Sequence, residues 1–241
     1  MSREHILFAL SRGFRRLGFL MVLAVWQAAS TPLHAQEIQA GVDFLTVIPK
    51  GELRDNIDNN GYGIGGQFLI GIGRSPFLAG IDAGTVRYGS MKTREPFSST
   101  IPEVELELQT DNKIVLTHFL LRVQPRTGNV RPYLDGLVGF KYLFTSTSIR
   151  SEFSDEVIAS TTNLSDLTFS YGFGGGVQVL LAGSSVGRQI CLDGKVRYLR
   201  GSEAKYLRRG SIRREGGGVF FDVLSSRTDV VTAQIGVTFR F

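Results

Sequence analysis

The sequence predicts an all-β fold: a single eight-stranded antiparallel transmembrane β-barrel with short periplasmic turns and long extracellular loops. Three observations predict it. Apolar and polar residues alternate with period two over segments of about ten residues, the signature of a half-apolar strand. The connections between those segments alternate short and long. The N-terminus carries the parts of a secretory signal.

The signal comes first in the chain. Arg12, Arg15 and Arg16 form a positive patch, Leu17 to Ala29 an apolar run, and Pro32 breaks the run shortly before Ala35. That run is 13 residues long, short of the roughly 20 that span a bilayer as a helix. Residues 1–35 are therefore expected to be a signal peptide cut near Ala35, and residues 36–241 the barrel domain. The whole chain carries 27 Lys and Arg against 22 Asp and Glu, but residues 36–241 carry only 23 against 21. The basic character belongs largely to the removed segment, so no nucleic-acid partner is expected. A single Cys, Cys191, excludes an intramolecular disulfide framework and cysteine-rich zinc modules. No metal-ligand cluster is visible, and no cofactor is expected.

Eight alternating segments follow, at roughly 37–49, 61–73, 77–90, 112–124, 131–146, 165–182, 188–200 and 227–241. The clearest sets Leu167, Phe169, Tyr171, Phe173, Val177 and Val179 against Thr168, Ser170, Gly172, Gly174, Gly176 and Gln178. The last is as clean, with Val231, Ala233, Ile235, Val237, Phe239 and Phe241 against Thr232, Gln234, Gly236, Thr238 and Arg240. Connections at 74–76, 125–130 and 183–187 are tight, and those near 50–60, 91–111, 147–164 and 201–226 are long and polar. A soluble sandwich also alternates, but its loop lengths need not sort by end. Here the polar face is rich in Gly, Ser, Thr and Gln, which suits a narrow lumen.

With the signal segment, Arg131-Pro132-Tyr133-Leu134-Asp135-Gly136 leading into the fifth strand and the terminal Val237-Thr238-Phe239-Arg240-Phe241, the chain resembles the small outer-membrane barrels of the OmpA/OmpX-like, porin-like superfamily. The resemblance covers residues 36–241. It implies the cell outer membrane of a Gram-negative bacterium, with periplasmic chaperones and the barrel-assembly machinery as partners during biogenesis. Phe239 and Phe241 would form the signal that this machinery reads. No peptidoglycan-binding domain follows the last strand before Phe241, so the resemblance is to barrel-only members, expected to be monomeric.

Alternation also assigns the faces. Phe140, Tyr142 and Phe144 are expected in an aromatic girdle at one interface, Phe239 and Phe241 in one at the other. Inward lie Asp43, Asp82, Asp135 and Asp193, each early in an odd segment and so at similar height. Gly84, Gly136 and Gly194 follow three of them and are expected to leave lumen space. Arg122, Lys141, Lys195, Arg197, Arg240 and His118 are the expected inward partners. An eight-stranded barrel has room for little more than its own side chains. Since an unpaired charge there costs several kcal/mol, a paired network filling the lumen is the leading expectation. A narrow pore for ions or small solutes is the alternative.

The fourth long connection holds Arg200, Lys205, Arg208, Arg209, Arg213 and Arg214, a set suited to the phosphates of lipopolysaccharide. The second holds the period-two acidic stretch Glu103 to Leu108, able to extend its neighbouring strands. Lipid A modification is the third function weighed. It needs a nucleophile with a base beside it, and the one His outside the signal segment, His118, has Leu116 and Leu120 at the positions two residues away on its face. Gly172 to Gly176 lies within a strand and not before a helix, so it does not read as a phosphate loop. The protein is therefore expected not to be an enzyme but an integral barrel whose loops meet lipopolysaccharide or external partners.

Overall fold

Strands rich in β-branched and aromatic residues on one face, and in small or polar residues on the other, can bury the polar face only by closing on themselves. The computed structural model, which describes residues 37–57, 59–98, 101–151, 154–183, 187–208, 210–215 and 218–241, has that arrangement. The elements are β1 (Ile38–Pro49), α1 (Glu52–Asn56), β2 (Gly61–Gly71), β3 (Phe77–Ser98), β4 (Ile101–Val123), β5 (Val130–Ser151) and β6 (Ser154–Gly183). They continue with β7 (Gln189–Gly201), β8 (Glu203–Tyr206), β9 (Ile212–Glu215), β10 (Gly218–Phe221), β11 (Leu224–Arg227) and β12 (Val230–Arg240). β1 to β7 and β12 form a closed antiparallel barrel in the order β1-β12-β7-β6-β5-β4-β3-β2. Closure is made by the first and last strands, paired from Gln39 with Arg240 to Pro49 with Val230. The predicted signal segment, residues 1–35 with the cut near Ala35, lies outside the described residues.

The eight predicted segments each coincide with one barrel strand, but four of them are longer than predicted. β3 runs on to Ser98 and β4 starts at Ile101, while β5 runs to Ser151 and β6 starts at Ser154. The stretches 91–111 and 147–164, expected as long loops, are therefore mostly the arms of two tall hairpins. The physical reason lies in the solvent. Beyond the lipid neither face must be apolar, so on most of these arms the two-residue alternation fades while the ladder continues, from Ser90 against Asp111 to Glu95 against Leu106. The period-two stretch Glu103 to Leu108, expected to extend its neighbouring strands, does so as part of β4. Threonines such as Thr145, Thr147 and Thr161 sustain the extended backbone there.

The outer surface is apolar where a soluble protein would be polar. Leu134 and Phe173 are 70% and 69% exposed, and Phe44, Ile64, Ile81, Phe119, Phe140, Phe169 and Ile235 share that surface. Phe140 and Phe169 face each other across β5 and β6, with ring centroids 6.0 Å apart, and Tyr142 stacks on Phe144 at 5.4 Å. Among the described residues no helix is long and apolar enough to cross a membrane, and this fold crosses with strands. The inward row holds Gln, Thr, Asp, Lys and Arg, nearly all of them buried. Glycines in that row make room for large neighbours. A Cβ on Gly174 would come 2.5 Å from Arg197 Cγ, and one on Gly176 would come 2.5 Å from the Tyr133 hydroxyl. Gly136 and Gly194 do not serve this purpose: each is the residue directly after an inward aspartate, so alternation turns it outward. Gly84, two residues past Asp82, does face inward, and a Cβ there would press on Leu45.

Candidate functional site

The four aspartates predicted for the lumen converge in one network with three of the predicted cations. Arg122, on β4, is opposite Asp135 in the β4–β5 ladder and grips its carboxylate with two bonds, Nε to Oδ1 at 2.7 Å and Nη2 to Oδ2 at 3.0 Å. Arg197 of β7 reaches the same carboxylate through Nη2 at 2.7 Å and donates to Asp82 Oδ2 through Nη1 at 2.8 Å. Lys195 sits 2.7 Å from Asp43 Oδ2 and 4.0 Å from Asp193 Oδ2. All these side chains are buried, so each charge has exchanged water for a paired partner, the condition under which buried charge is tolerated. Arg122 Nη2 also donates to Gln67 Oε1, and Gln67 Nε2 donates to Asp193 Oδ2 at 2.9 Å, which joins the two halves.

Several members of the lumen escaped the sequence reading. Tyr133 is the largest: its hydroxyl donates to Asp193 Oδ1 at 2.5 Å, and the Arg122 guanidinium lies 3.6 Å from its ring centroid. Its parity with Asp135, two residues on, was the available signal. Towards the tight turns, Gln39 and Gln124, also missed, close a ring of amides with Gln178, which alternation places on the inward face. Gln39 donates to Gln124 and Gln124 to Gln178, each at 2.9 Å, and Gln178 returns to Gln39 at 3.2 Å. Below them Arg240 pairs with Glu37, which also accepts from Gln39.

Two predicted members stand outside the ion pairs. Lys141 is buried but donates to the carbonyls of Leu199, at 3.1 Å, and Thr228. His118 reaches past Gly139 of β5 to Ser170 of β6, Nε2 to Oγ 3.0 Å. Leu116 and Leu120 are its neighbours on its own strand, as expected, and the serine comes from elsewhere in the sheet. Alternation inspects one strand, whereas this hydroxyl comes from two strands away. The Ser170 hydroxyl donates to the Arg200 carbonyl at 3.0 Å, so the hydrogen-bond pattern assigns the proton on Nε2 to His118 as donor. A histidine that donates to serine does not activate it as a nucleophile. Cys191, also inward and buried, lies beside the Arg131 guanidinium. Among the described residues no three His, Cys, Asp or Glu side chains gather as a metal set.

A closed barrel of eight strands, an apolar belt outside and a charged, hydrogen-bonded interior leave one architecture. The fold is that of a small outer-membrane β-barrel. Solved structures of similar topology include Neisserial surface protein A (NspA), 11% identical over 85% of this chain and 95% of that one, with a TM-score of 0.35. Ail, the attachment invasion locus protein of Yersinia pestis, solved in complex with the heparin analogue sucrose octasulfate, is 13% identical over 86% and 97%, TM-score 0.36. A major outer membrane protein from Thermus thermophilus is 12% identical over 86% and 100%, TM-score 0.45. No family model matches the chain, and no curated protein matches it in sequence.

At the end of the outer-membrane barrel away from the tight turns, an apolar stopper replaces the charges. Leu53 and Ile57 around α1 pack with Tyr88, Ala204, Tyr206, Val47, Leu199 and Val230 in one buried cluster. Polar bonds fix it: Tyr88 donates to the Leu207 carbonyl at 3.2 Å, Asn56 to the Tyr206 hydroxyl at 3.0 Å, and the Arg227 amide to Glu52 at 2.9 Å. The fourth connection is thus folded. Its β8–β11 hairpin turns Ala204 and Tyr206 into the barrel and leaves Lys205 outside, with Arg200 and Arg208 also exposed. The Lys205 amide is tied to Asp166 at 2.8 Å. Arg213 and Arg214 lie on β9, paired with Phe220 and Val219 of β10. Arg209 lies outside the described residues.

Proposed function

We propose that this protein is a non-enzymatic integral barrel of the outer membrane of a Gram-negative bacterium. Its lumen is closed, and its surface connections contact lipopolysaccharide and external partners. The observation that carries the reading is the occupied interior: amide ring, charge network and apolar stopper succeed one another along the axis. The four aspartates with Arg122, Lys195 and Arg197 serve as structural counter-charges, and Lys141 and His118 as hydrogen-bonding fillers around them. Phe239 and Phe241, exposed at the end of β12, suit a terminal signal for barrel assembly after signal cleavage near Ala35. Arg200, Lys205 and Arg208 present exposed cations to lipopolysaccharide phosphates. The test is binding of purified, folded protein to lipopolysaccharide micelles. Arg200→Gln, Lys205→Gln and Arg208→Gln combined are expected to weaken it at least about tenfold; an unchanged affinity would refute the assignment of these three residues.

A further inference from the structure

A second cationic feature lies on the rim, apart from the basic fourth connection. A cavity of about 470 Å³ opens there, lined among others by Arg54, Asn59, Asn60, Tyr62, Arg87 and Ser90. Its place in the membrane follows from register. Tyr62 and Arg87 are direct partners in the β2–β3 ladder, and both are exposed on the outward face. Tyr62 stacks on the outward Phe44, with centroids 6.4 Å apart. Ten residues separate Phe77, at the tight turn, from Arg87. At ~3.3 Å per residue and a tilt of ~45° they rise about 23 Å, close to the ~25 Å height of a barrel's apolar band. Arg87 therefore stands at the upper edge of the band, at headgroup height, so that the outward part of the cavity's lining, Tyr62 and Arg87, lies beside the lipid.

We infer that this cavity binds the phosphorylated sugar headgroup of an outer-leaflet glycolipid. The chemistry matches part by part. Guanidiniums from two elements, Arg54 of α1 and Arg87 of β3, can flank one phosphate, with Arg87 free to turn from its long 3.4 Å contact to Asp111. Asn59, Asn60 and Ser90 offer partners for ring hydroxyls, and the Asn60 Oδ1 is buried with no hydrogen-bond partner among the described residues. Tyr62 offers an aromatic face to a sugar ring, and the volume lies within the range of ligand pockets. Asp111 is the nearby carboxylate that a second anion must tolerate, and Lys113, 3.8 Å from it, stays as its counter-charge when Arg87 turns away. The outward Tyr62 and Arg87, at headgroup height, favour a membrane-borne sugar phosphate over a dissolved one.

The inference rests on the outer-membrane reading, not on the fourth connection. The full protein is folded into nanodiscs containing either bisphosphorylated lipid A or its dephosphorylated form, and retained glycolipid is counted by native mass spectrometry. Expected results are retention of the phosphorylated form and at least about tenfold weaker retention by Arg54→Gln/Arg87→Gln. Equal retention of both glycolipids, or an unaffected double variant, overturns the site while leaving the barrel's outer-membrane role intact. No retention by the native protein overturns both the site and the lipopolysaccharide contact. Glucosamine 6-phosphate in solution binding as tightly as the membrane form overturns the lipid source. Should the variant fail to fold, phosphorus NMR of lipid A around the native protein decides: perturbed phosphate resonances support the site, and unperturbed ones refute it.

Discussion

Two guanidiniums, Arg122 and Arg197, share the carboxylate of Asp135 inside a barrel filled by its own side chains. Asp135→Asn removes the charge both answer to, and uncompensated buried charge costs about 3–5 kcal/mol. The unfolding midpoint in urea, measured in lipid vesicles, is expected to fall accordingly, and an unchanged midpoint would contradict the role given to Asp135. Tyr133→Phe removes the bond to Asp193 and leaves the ring under Arg122 in place, so a smaller loss of about 1.5–3 kcal/mol is expected in the same titration. The sequence reveals these partners unevenly. Asp43, Asp82, Asp135 and Asp193 are legible because a charge at inward parity inside an apolar strand has no other place to go. Tyr133 hides because an aromatic in a membrane barrel is first assigned to lipid. The Gln39, Gln124 and Gln178 ring is illegible for a deeper reason. Which inward residues meet at one height depends on the stagger between strands, which no single strand encodes.

At the scale of the strand, alternation locates the part of each element that touches lipid and underestimates the rest. Phe77 to Ser90 alternates, whereas the continuation to Ser98 keeps its place in the ladder without that pattern. Length was therefore legible within the membrane and in the period-two stretch Glu103 to Leu108 of β4, whereas the rest of the hairpin arms of β3–β4 and β5–β6 was not. The distinction is measurable. Val138→Arg on the lipid face of β5 is expected to cost about 2–4 kcal/mol, whereas Thr161→Arg, exposed on the upper arm of β6, is expected to be nearly neutral. Equal costs would misplace the belt. Two glycines, one inward on β6 and one outward on β7, make a second test. Gly174→Val puts methyl groups where the Arg197 side chain lies, and the folded yield from urea is expected to collapse, whereas the outward Gly194→Val has open space around it and should fold.

For the whole molecule, three kinds of side-chain contact succeed one another along the axis: amides near the turns, ion pairs in the middle and apolar side chains at the far end. They share strands such as β1 and β7, and Gln178 joins the amide ring to Asp193 of the ion-pair network. Leu53→Asp places a carboxylate in the apolar stopper and is expected to expose the residue 50–60 connection to protease while the ion pairs below hold the lumen shut. On the proposed function the barrel is an anchor with a dressed outer rim rather than a conduit. The most direct test is single-channel recording of the purified native protein in planar bilayers. The occupied lumen predicts no stable conductance steps at any protein density. Reproducible steps of uniform size from the native chain would contradict it and make the narrow pore the correct reading.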